Sequence, residues 1–164
     1  MTSQTTGVFA PHDHDACARD TLHAALARAS DAGARLTPVR RRTLEILLES
    51  HRAMGAYEVL DRLAADGFGK QPPVAYRALD FLVEHGLAHR VRRLNAFTAC
   101  LSPGEDHAPA FLICRNCNRV AETHAPALRR ALTEDAADQG FAVERVTIEA
   151  LGLCPDCADQ GAAA

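Results

Sequence analysis

Apolar residues recur at helical spacing through the first half of the chain and switch to alternation just before its middle. Leu22, Leu26 and Ala29 share one face of residues 15–32, a helix that Gly33 ends. Thr37 at an N-cap and Pro38 at the first helical position open a second helix, with Leu44, Leu47 and Leu48 as its stripe. Residues 56–66 repeat the pattern through Tyr57, Leu60, Leu63 and Ala64, and Gly67 stops it. Pro72-Pro73 starts a fourth helix, 73–85, with Leu79, Leu82 and Val83 inward and Gly86 as its stop. From Leu87 the period becomes two. Leu87, His89 and Val91 alternate, and residues 96–101 return antiparallel across the basic tip Arg92-Arg93-Leu94-Asn95. Three helices followed by a two-stranded hairpin is the winged helix-turn-helix order, here with an extra helix in front. Its third core helix, 73–85, would enter a major groove. An ordinary small α+β core shares the same pattern.

Residues 102–106, with Pro103-Gly104, form a plausible hinge. Beyond it the pattern predicts strands over 110–113 and 120–123, a helix over 126–138 carrying Leu128 and Leu132, and a strand over 141–150 with Val143, Val146 and Ile148. The fold class is therefore α+β: an N-terminal winged helix-turn-helix domain followed by a small α/β module, whose exposed sheet edge is a natural place to dimerise. The expected division is a disordered leader (1–15), the winged-helix domain (16–101), the hinge (102–106) and a dimerisation and metal-binding domain (107–160).

Cysteine spacing adds chemistry. Cys114-Arg115-Asn116-Cys117 and Cys154-Pro155-Asp156-Cys157 are two Cys-x-x-Cys turns, with 36 residues between Cys117 and Cys154. Two such knuckles complete a tetrahedral four-thiolate zinc site, which has no open position and so staples the fold without catalysing. A second constellation straddles the hinge: His89, Cys100, His107 and Glu122. One ion held by all four would tie the two halves and set the angle between them, and a mixed S/N/O set suits zinc better than iron or manganese. Singly these residues have duller readings. Cys100 is a small buried residue, His89 a wing residue facing phosphate, and His107 and Glu122 are surface residues. If 120–124 is extended, His124 shares a face with Glu122 and competes as a ligand. His12, His14 and Cys17 in the leader offer a looser metal set beside the reading of an inert tail, and His51 and His85 read as solvent-facing helix residues.

Charge sharpens the first half's role. The net charge is −3, yet residues 35–95 hold 11 Lys/Arg against 7 Asp/Glu, while residues 96–164 hold 5 against 10. A basic middle between acidic flanks suits a polyanion, and a merely solvated surface equally. The chain has 164 residues, 48% of them apolar, and no run of 18 apolar residues, so no membrane span is expected. No secretory signal is read at the start, and thiolate–metal chemistry in a reducing cytoplasm is expected over disulfides. The His-x-Glu/Pro-Cys-x-x-Cys pattern of zinc deaminases and the His-Glu-x-x-His of zinc peptidases are absent, so neither an enzyme nor a small-molecule substrate is expected. A thiol or peroxide switch, in which oxidation releases zinc from the knuckles, is the alternative.

These residues resemble the ferric uptake regulator family, in its zinc uptake branch, over about residues 22–157. The resemblance rests on Arg35-Leu36-Thr37-Pro38-Val39-Arg40, on Ala56-Tyr57, and on Pro72-Pro73-Val74-Ala75-Tyr76-Arg77-Ala78-Leu79-Asp80-Phe81-Leu82. It rests equally on His89 with Cys100 eleven residues later, on His107 seven before the first knuckle, and on Ile148-Glu149-Ala150-Leu151-Gly152-Leu153-Cys154. Cys100 and the last stretch point to the zinc branch over relatives that sense another metal or peroxide. The resemblance implies a cytoplasmic homodimeric repressor of double-stranded DNA operators, palindromic and belonging to zinc-uptake genes, released when zinc is scarce. It implies a structural zinc at Cys114, Cys117, Cys154 and Cys157, a regulatory zinc at His89, Cys100, His107 and Glu122, and thus two zinc ions per subunit. It places Tyr57, Tyr76 and Arg77 on operator bases or phosphates and Arg35 toward the minor groove. The chain departs from the family at Val74-Ala75, where a Thr hydroxyl usually precedes Val-Tyr-Arg, and at Pro109, which takes the place of a second His after His107.

Overall fold

A computed structural model describes residues 8–103 and 109–161. The helix α1 (His14–Asp31) precedes the helices α2 (Pro38–Leu48), α3 (Ala56–Ala65) and α4 (Pro72–Glu84) and the hairpin β1 (Ala88–Val91) and β2 (Ala96–Ala99). The second half runs β3 (Pro109–Cys114), β4 (Val120–His124), α5 (Pro126–Asp138), β5 (Ile148–Gly152) and α6 (Pro155–Gly161). The hairpin is antiparallel with His89 opposite Thr98, and the second sheet has the order β4-β3-β5, with β3 antiparallel to β4 and parallel to β5.

Most of the helical stripes read from the sequence meet in one core, but Tyr57 and Val83, read as part of them, are exposed. Leu44, Leu47, Val59, Leu63, Leu79, Leu82 and Leu87 are fully or almost fully buried, and α1 adds Ala25 and Ala29. The small side chains of α1 let it lie close on the core. Helix α3 is secured at its start by the Glu58 carboxylate, which accepts from the Gly55 N–H at 2.9 Å. Helix α4 ends in a Schellman arrangement, with Gly86 N–H donating to Val83 O and Leu87 N–H to Leu82 O. Gly86 takes φ +70°, a conformation costly for any residue with a Cβ, and so turns the chain into the wing. Thr37 sits at the N-cap of α2 as the sequence suggests, but its side chain makes no capping hydrogen bond.

Other readings change as well. Residues 141–147 are not strand, and only Ile148–Gly152 pairs. Their apolar alternation is real, but among the described residues no strand pairs with them. Residues 1–7 of the expected leader lie outside the described residues; in the rest, Val8 is buried and α1 begins at His14. His51 is not a helix residue, since it lies three residues past α2 and is half-buried. Most of the expected hinge lies outside the described residues.

The two halves meet along a seam. Ala53, Val91 and Ala96 pack with Phe111, Ile113 and Val120 in a second small apolar cluster. Around it, Val120 N–H donates to His51 O at 2.9 Å and Ala53 N–H to Asn118 O at 3.3 Å. The wing tip is held by a group whose role nothing in the linear pattern signals. The Glu149 carboxylate on β5 accepts from both Arg92 N–H, at 2.7 Å, and Arg93 N–H, at 2.9 Å. Hydrogen bonds to a charged acceptor contribute roughly 1.5–3 kcal/mol when sheltered, and less at this half-buried position. Glu149→Ala is expected to speed hydrogen exchange at the Arg92 and Arg93 amides by about tenfold or more, with the α4 core amides unchanged. Equal exchange in variant and parent would show that the tip is held by its apolar contacts alone.

Candidate metal centres and nucleic-acid interface

Strand β3 ends at Cys114 and turns tightly into β4. Asn118 takes φ +59°, a left-handed position that Asn tolerates, and its N–H returns to Cys114 O at 3.0 Å. Parallel pairing of β5 with β3 sets Gly152 opposite Cys114, and Arg115 N–H donates to Gly152 O at 2.9 Å. The second knuckle therefore arrives beside the first. Cys114, Cys117, Cys154 and Cys157 bring their sulfur atoms within 4.8 Å of one another. Cys117 Sγ and Cys154 Sγ are 3.7 Å apart, where two thiolates on one tetrahedral zinc, at ~2.3 Å each, lie ~3.75 Å apart. Asn116 Nδ2 lies 3.3 Å from Cys157 Sγ, and Arg119 pairs with Asp156 at 2.9 Å, tying one knuckle to the other.

The thiols compete for charge. Burial raises the Cys114 thiol, but the backbone N–H groups of Cys117, Cys154 and Asn116 outweigh it and bring it down to about 6. The N–H of Cys157 favours the Cys154 thiolate, yet burial and hydrogen bonds with Cys157, Cys114 and Cys117 push that thiol up to about 12. One sulfur takes the charge while a neighbour keeps its proton. A divalent cation removes that competition, which is what a buried four-sulfur set needs.

The second set forms where the wing meets the C-terminal sheet. His89 on β1, Cys100 just past β2 and Glu122 on β4 bring donor atoms within 4.8 Å of one another. His89 Nε2 lies 3.4 Å from Glu122 Oε1, and Cys100 Sγ lies 4.0 Å from the same oxygen. Tetrahedral zinc with ~2.05 Å bonds to N and O, and ~2.3 Å to S, places such pairs ~3.3 and ~3.6 Å apart, so the set fits with a small contraction. The other carboxylate oxygen accepts from Leu101 N–H at 3.1 Å, which fixes the orientation of Glu122. His107 lies outside the described residues. His124 is two residues along β4 from Glu122, paired with Pro109 and exposed.

A third group was only half legible in the sequence. His12, His14 and Cys17 are joined by His51, and the four donor atoms lie within 4.8 Å of one another. In the sequence His51 reads as a solvent-facing residue because its neighbours there say nothing of the leader. Burial, then the neighbouring His14, His12 and Arg119, hold its imidazole down to about 4, so it is neutral at pH 7.

The N-terminal half exposes the expected contact residues. Tyr57 on α3 is 63% exposed and meets Tyr76 on α4 edge to face, with ring centroids 6.5 Å apart. Arg77 follows Tyr76 and is exposed, as is Arg35 before α2. Arg40 stacks over Phe81 at 3.7 Å and donates to Arg35 O, bracing that corner.

Residues 31–151 match the family model of the ferric uptake regulator family. The chain is 38% identical over 126 residues to the zinc uptake regulation protein of Escherichia coli (strain K12), covering 76% of this chain and 74% of that protein. It is 28% identical over 136 residues to the peroxide operon regulator of Bacillus subtilis (strain 168), covering 83% and 92%. Among solved structures, a zinc uptake regulator complexed with zinc and DNA aligns with a TM-score of 0.82 at 35% identity, over 88% of this chain and 97% of that one. Holo XcZur aligns with a TM-score of 0.74 at 35% identity, over 87% and 96%.

Cys114→Ser is expected to lose one zinc equivalent per subunit and to melt the C-terminal half at markedly lower temperature, because the binding energy of a closed site is also folding energy. Zinc content measured beside thermal unfolding checks this. A variant with full zinc content and unchanged melting would break the assignment of the staple.

Proposed function

Because the chain belongs to the ferric uptake regulator family, we propose that it is a zinc-responsive transcriptional repressor, whose zinc-loaded homodimer binds operator DNA and releases it when zinc is scarce. The observation that carries this reading is the convergence of His89, Cys100 and Glu122 from both sides of the seam. The two wing-borne donors and the sheet-borne carboxylate share a point only when the halves hold this orientation. Zinc, when bound, supplies a Lewis acid that makes the orientation worth keeping. His89, Cys100, Glu122 and, from the adjoining segment, His107 are the proposed regulatory ligands, and Cys114, Cys117, Cys154 and Cys157 the proposed structural ones. The coupling needs only that the donors bind better in the DNA-competent arrangement than out of it.

The DNA-facing side fits that role. Helix α4 presents Tyr76 and Arg77, with Tyr57 alongside and Arg35 at the corner where a strand of DNA would pass. The aromatic rings offer contact to bases and sugars, and the guanidinium groups to phosphate or guanine edges. The homodimer is supported by the second half's unfinished surface. No residue of α5 is buried, Leu128 and Leu132 on it are exposed, and Phe141 after it is 66% exposed. A 13-residue helix that buries nothing is not stable alone in water. A second copy covering this face gives it a core and presents two copies of α4 to successive major grooves of a palindrome. Operators of zinc-uptake genes and residence in the cytoplasm follow from the same reading. Among the described residues no helix is long and apolar enough to cross a membrane.

Cys100→Ser is expected to lose zinc-dependent operator binding by about tenfold or more while keeping the dimer and the staple zinc, since a hydroxyl is a poor zinc ligand. Operator affinity in buffered zinc and zinc stoichiometry, measured on one preparation, decide the matter. An unchanged affinity together with an unchanged stoichiometry would place the sensor elsewhere. Arg77→Ala is expected to cost ~1–3 kcal/mol of operator binding with zinc content and dimer unchanged. Parent-like affinity at moderate salt would mean that α4 is not the reading helix.

A further inference from the structure

We propose that His12, His14, Cys17 and His51 form a third metal site, for a zinc-class divalent ion, that fastens the N-terminal segment and α1 to the loop between α2 and α3. The site shares no residue with the four-cysteine set or with the His89–Cys100–Glu122 set.

The local sequence builds three of its corners. Asp13 caps α1, its carboxylate accepting from Ala16 N–H at 3.0 Å, which puts His14 and Cys17 in the first turn at i and i+3, on one face. His12 Nδ1 lies 2.9 Å from Ala10 O, and because a carbonyl only accepts, that nitrogen carries the proton. The lone pair of His12 is therefore on Nε2, which faces the cluster. An imidazole oriented by a backbone carbonyl through its other nitrogen is the usual arrangement of a metal ligand. The fourth corner comes from 34 or more residues away in the chain, as His51 Nε2 approaches His12 Nε2 at 2.9 Å.

Two further observations point to a ligand. Both ring nitrogens of His14 are buried and have no hydrogen-bond partner, a costly state for an imidazole that a metal bond would relieve. Its ring lies 4.6 Å from that of His51, and a small cavity between them is lined by His14, Cys17, Ser50 and His51. Two imidazole nitrogens on one tetrahedral zinc lie ~3.3 Å apart, so the His12–His51 pair opens by only about 0.4 Å to accept an ion. On binding, the Cys17 thiol releases its proton to solvent and the His51 proton moves from Nε2 to Nδ1. One thiolate and three neutral imidazoles then close a four-ligand set, which suits zinc and leaves no open position for catalysis.

The place of this cluster gives it a consequence. His51 O receives the Val120 N–H at the seam, two residues from the Ala53–Asn118 hydrogen bond. An ion here would brace the loop on which the C-terminal sheet leans, and so stiffen the relation between the halves without touching either other metal set.

Total zinc per subunit in the purified full-length dimer tests this, and no DNA-binding readout enters, so its failure and that of the repressor reading are separable. The parent is expected to bind three zinc ions per subunit, and His14→Ala and His51→Ala one fewer each, while Cys100→Ser loses a different ion. A second measurement needs no variant. Zinc is expected to slow alkylation of Cys17 by iodoacetamide about tenfold or more, read peptide by peptide, because the metal-bound thiolate is a poor nucleophile. That protection is expected to survive Cys100→Ser and to vanish in His14→Ala. Two zinc ions in the parent, or alkylation of Cys17 at one rate with and without zinc, would overturn the site.

Discussion

The sulfur atoms of Cys114, Cys117, Cys154 and Cys157 do for the C-terminal half what a hydrophobic core does for the N-terminal one. The described C-terminal residues bury only a few large apolar side chains, chiefly Phe111, Ile113 and Val120, and these face the seam. Helix α5 buries none. What sets β5 beside β3 is backbone pairing, and what ends that pairing in register is the meeting of the two knuckles next to Gly152. A small module with so thin a core gains its order from a metal or a partner subunit, and this one is built to use both.

Everything proposed for function passes through the seam that this staple positions. On its N-terminal side stand the wing strands and the loop after α2, and on its C-terminal side β3, β4 and β5. Beside the backbone hydrogen bonds of His51 and Ala53 with β4 and the turn before it, three kinds of side-chain contact cross it. The apolar cluster around Phe111 needs no ion. The Glu149 carboxylate holds the wing tip by two backbone amides. The His89–Cys100–Glu122 set, as the proposed regulatory ligands, would add a contact that depends on metal. A constitutive contact that nearly suffices, supplemented by one that depends on an ion, is what a small signal needs to shift a population between arrangements.

The residues proposed to face DNA lie on the exposed sides of α3 and α4, and this division of labour has a packing reason. Helix α4 buries Ala75, Ala78, Leu79 and Leu82 on one face, leaving Tyr76 and Arg77 on the other. The buried face leads through the Gly86 turn directly into β1, so the orientation of the reading face and the position of His89 are set by one rigid run of chain. The aromatic pair Tyr57–Tyr76 links α3 to α4 on the exposed side, so the two helices present a single surface.

Much of this was legible along the chain because it is local. Helical stripes, Pro at helix starts, Gly86 at a helix end and the two-residue gaps of the knuckles each depend on neighbours within a few positions, and a linear pattern records such neighbours well. The strand predicted over 141–150 formed only from Ile148 onward, for the complementary reason: strand composition states a preference, and only a partner with free hydrogen-bonding groups makes a strand. The convergence of His89, Cys100 and Glu122 stood in the sequence as a possibility among duller ones, and the pairing of His51 with the leader and of Glu149 with the wing tip did not stand there at all. Those contacts join residues 39 and 57 positions apart. Which distant side chains meet is decided by how the helices pack and how the sheet sets its register, and both are tertiary choices that no single segment contains.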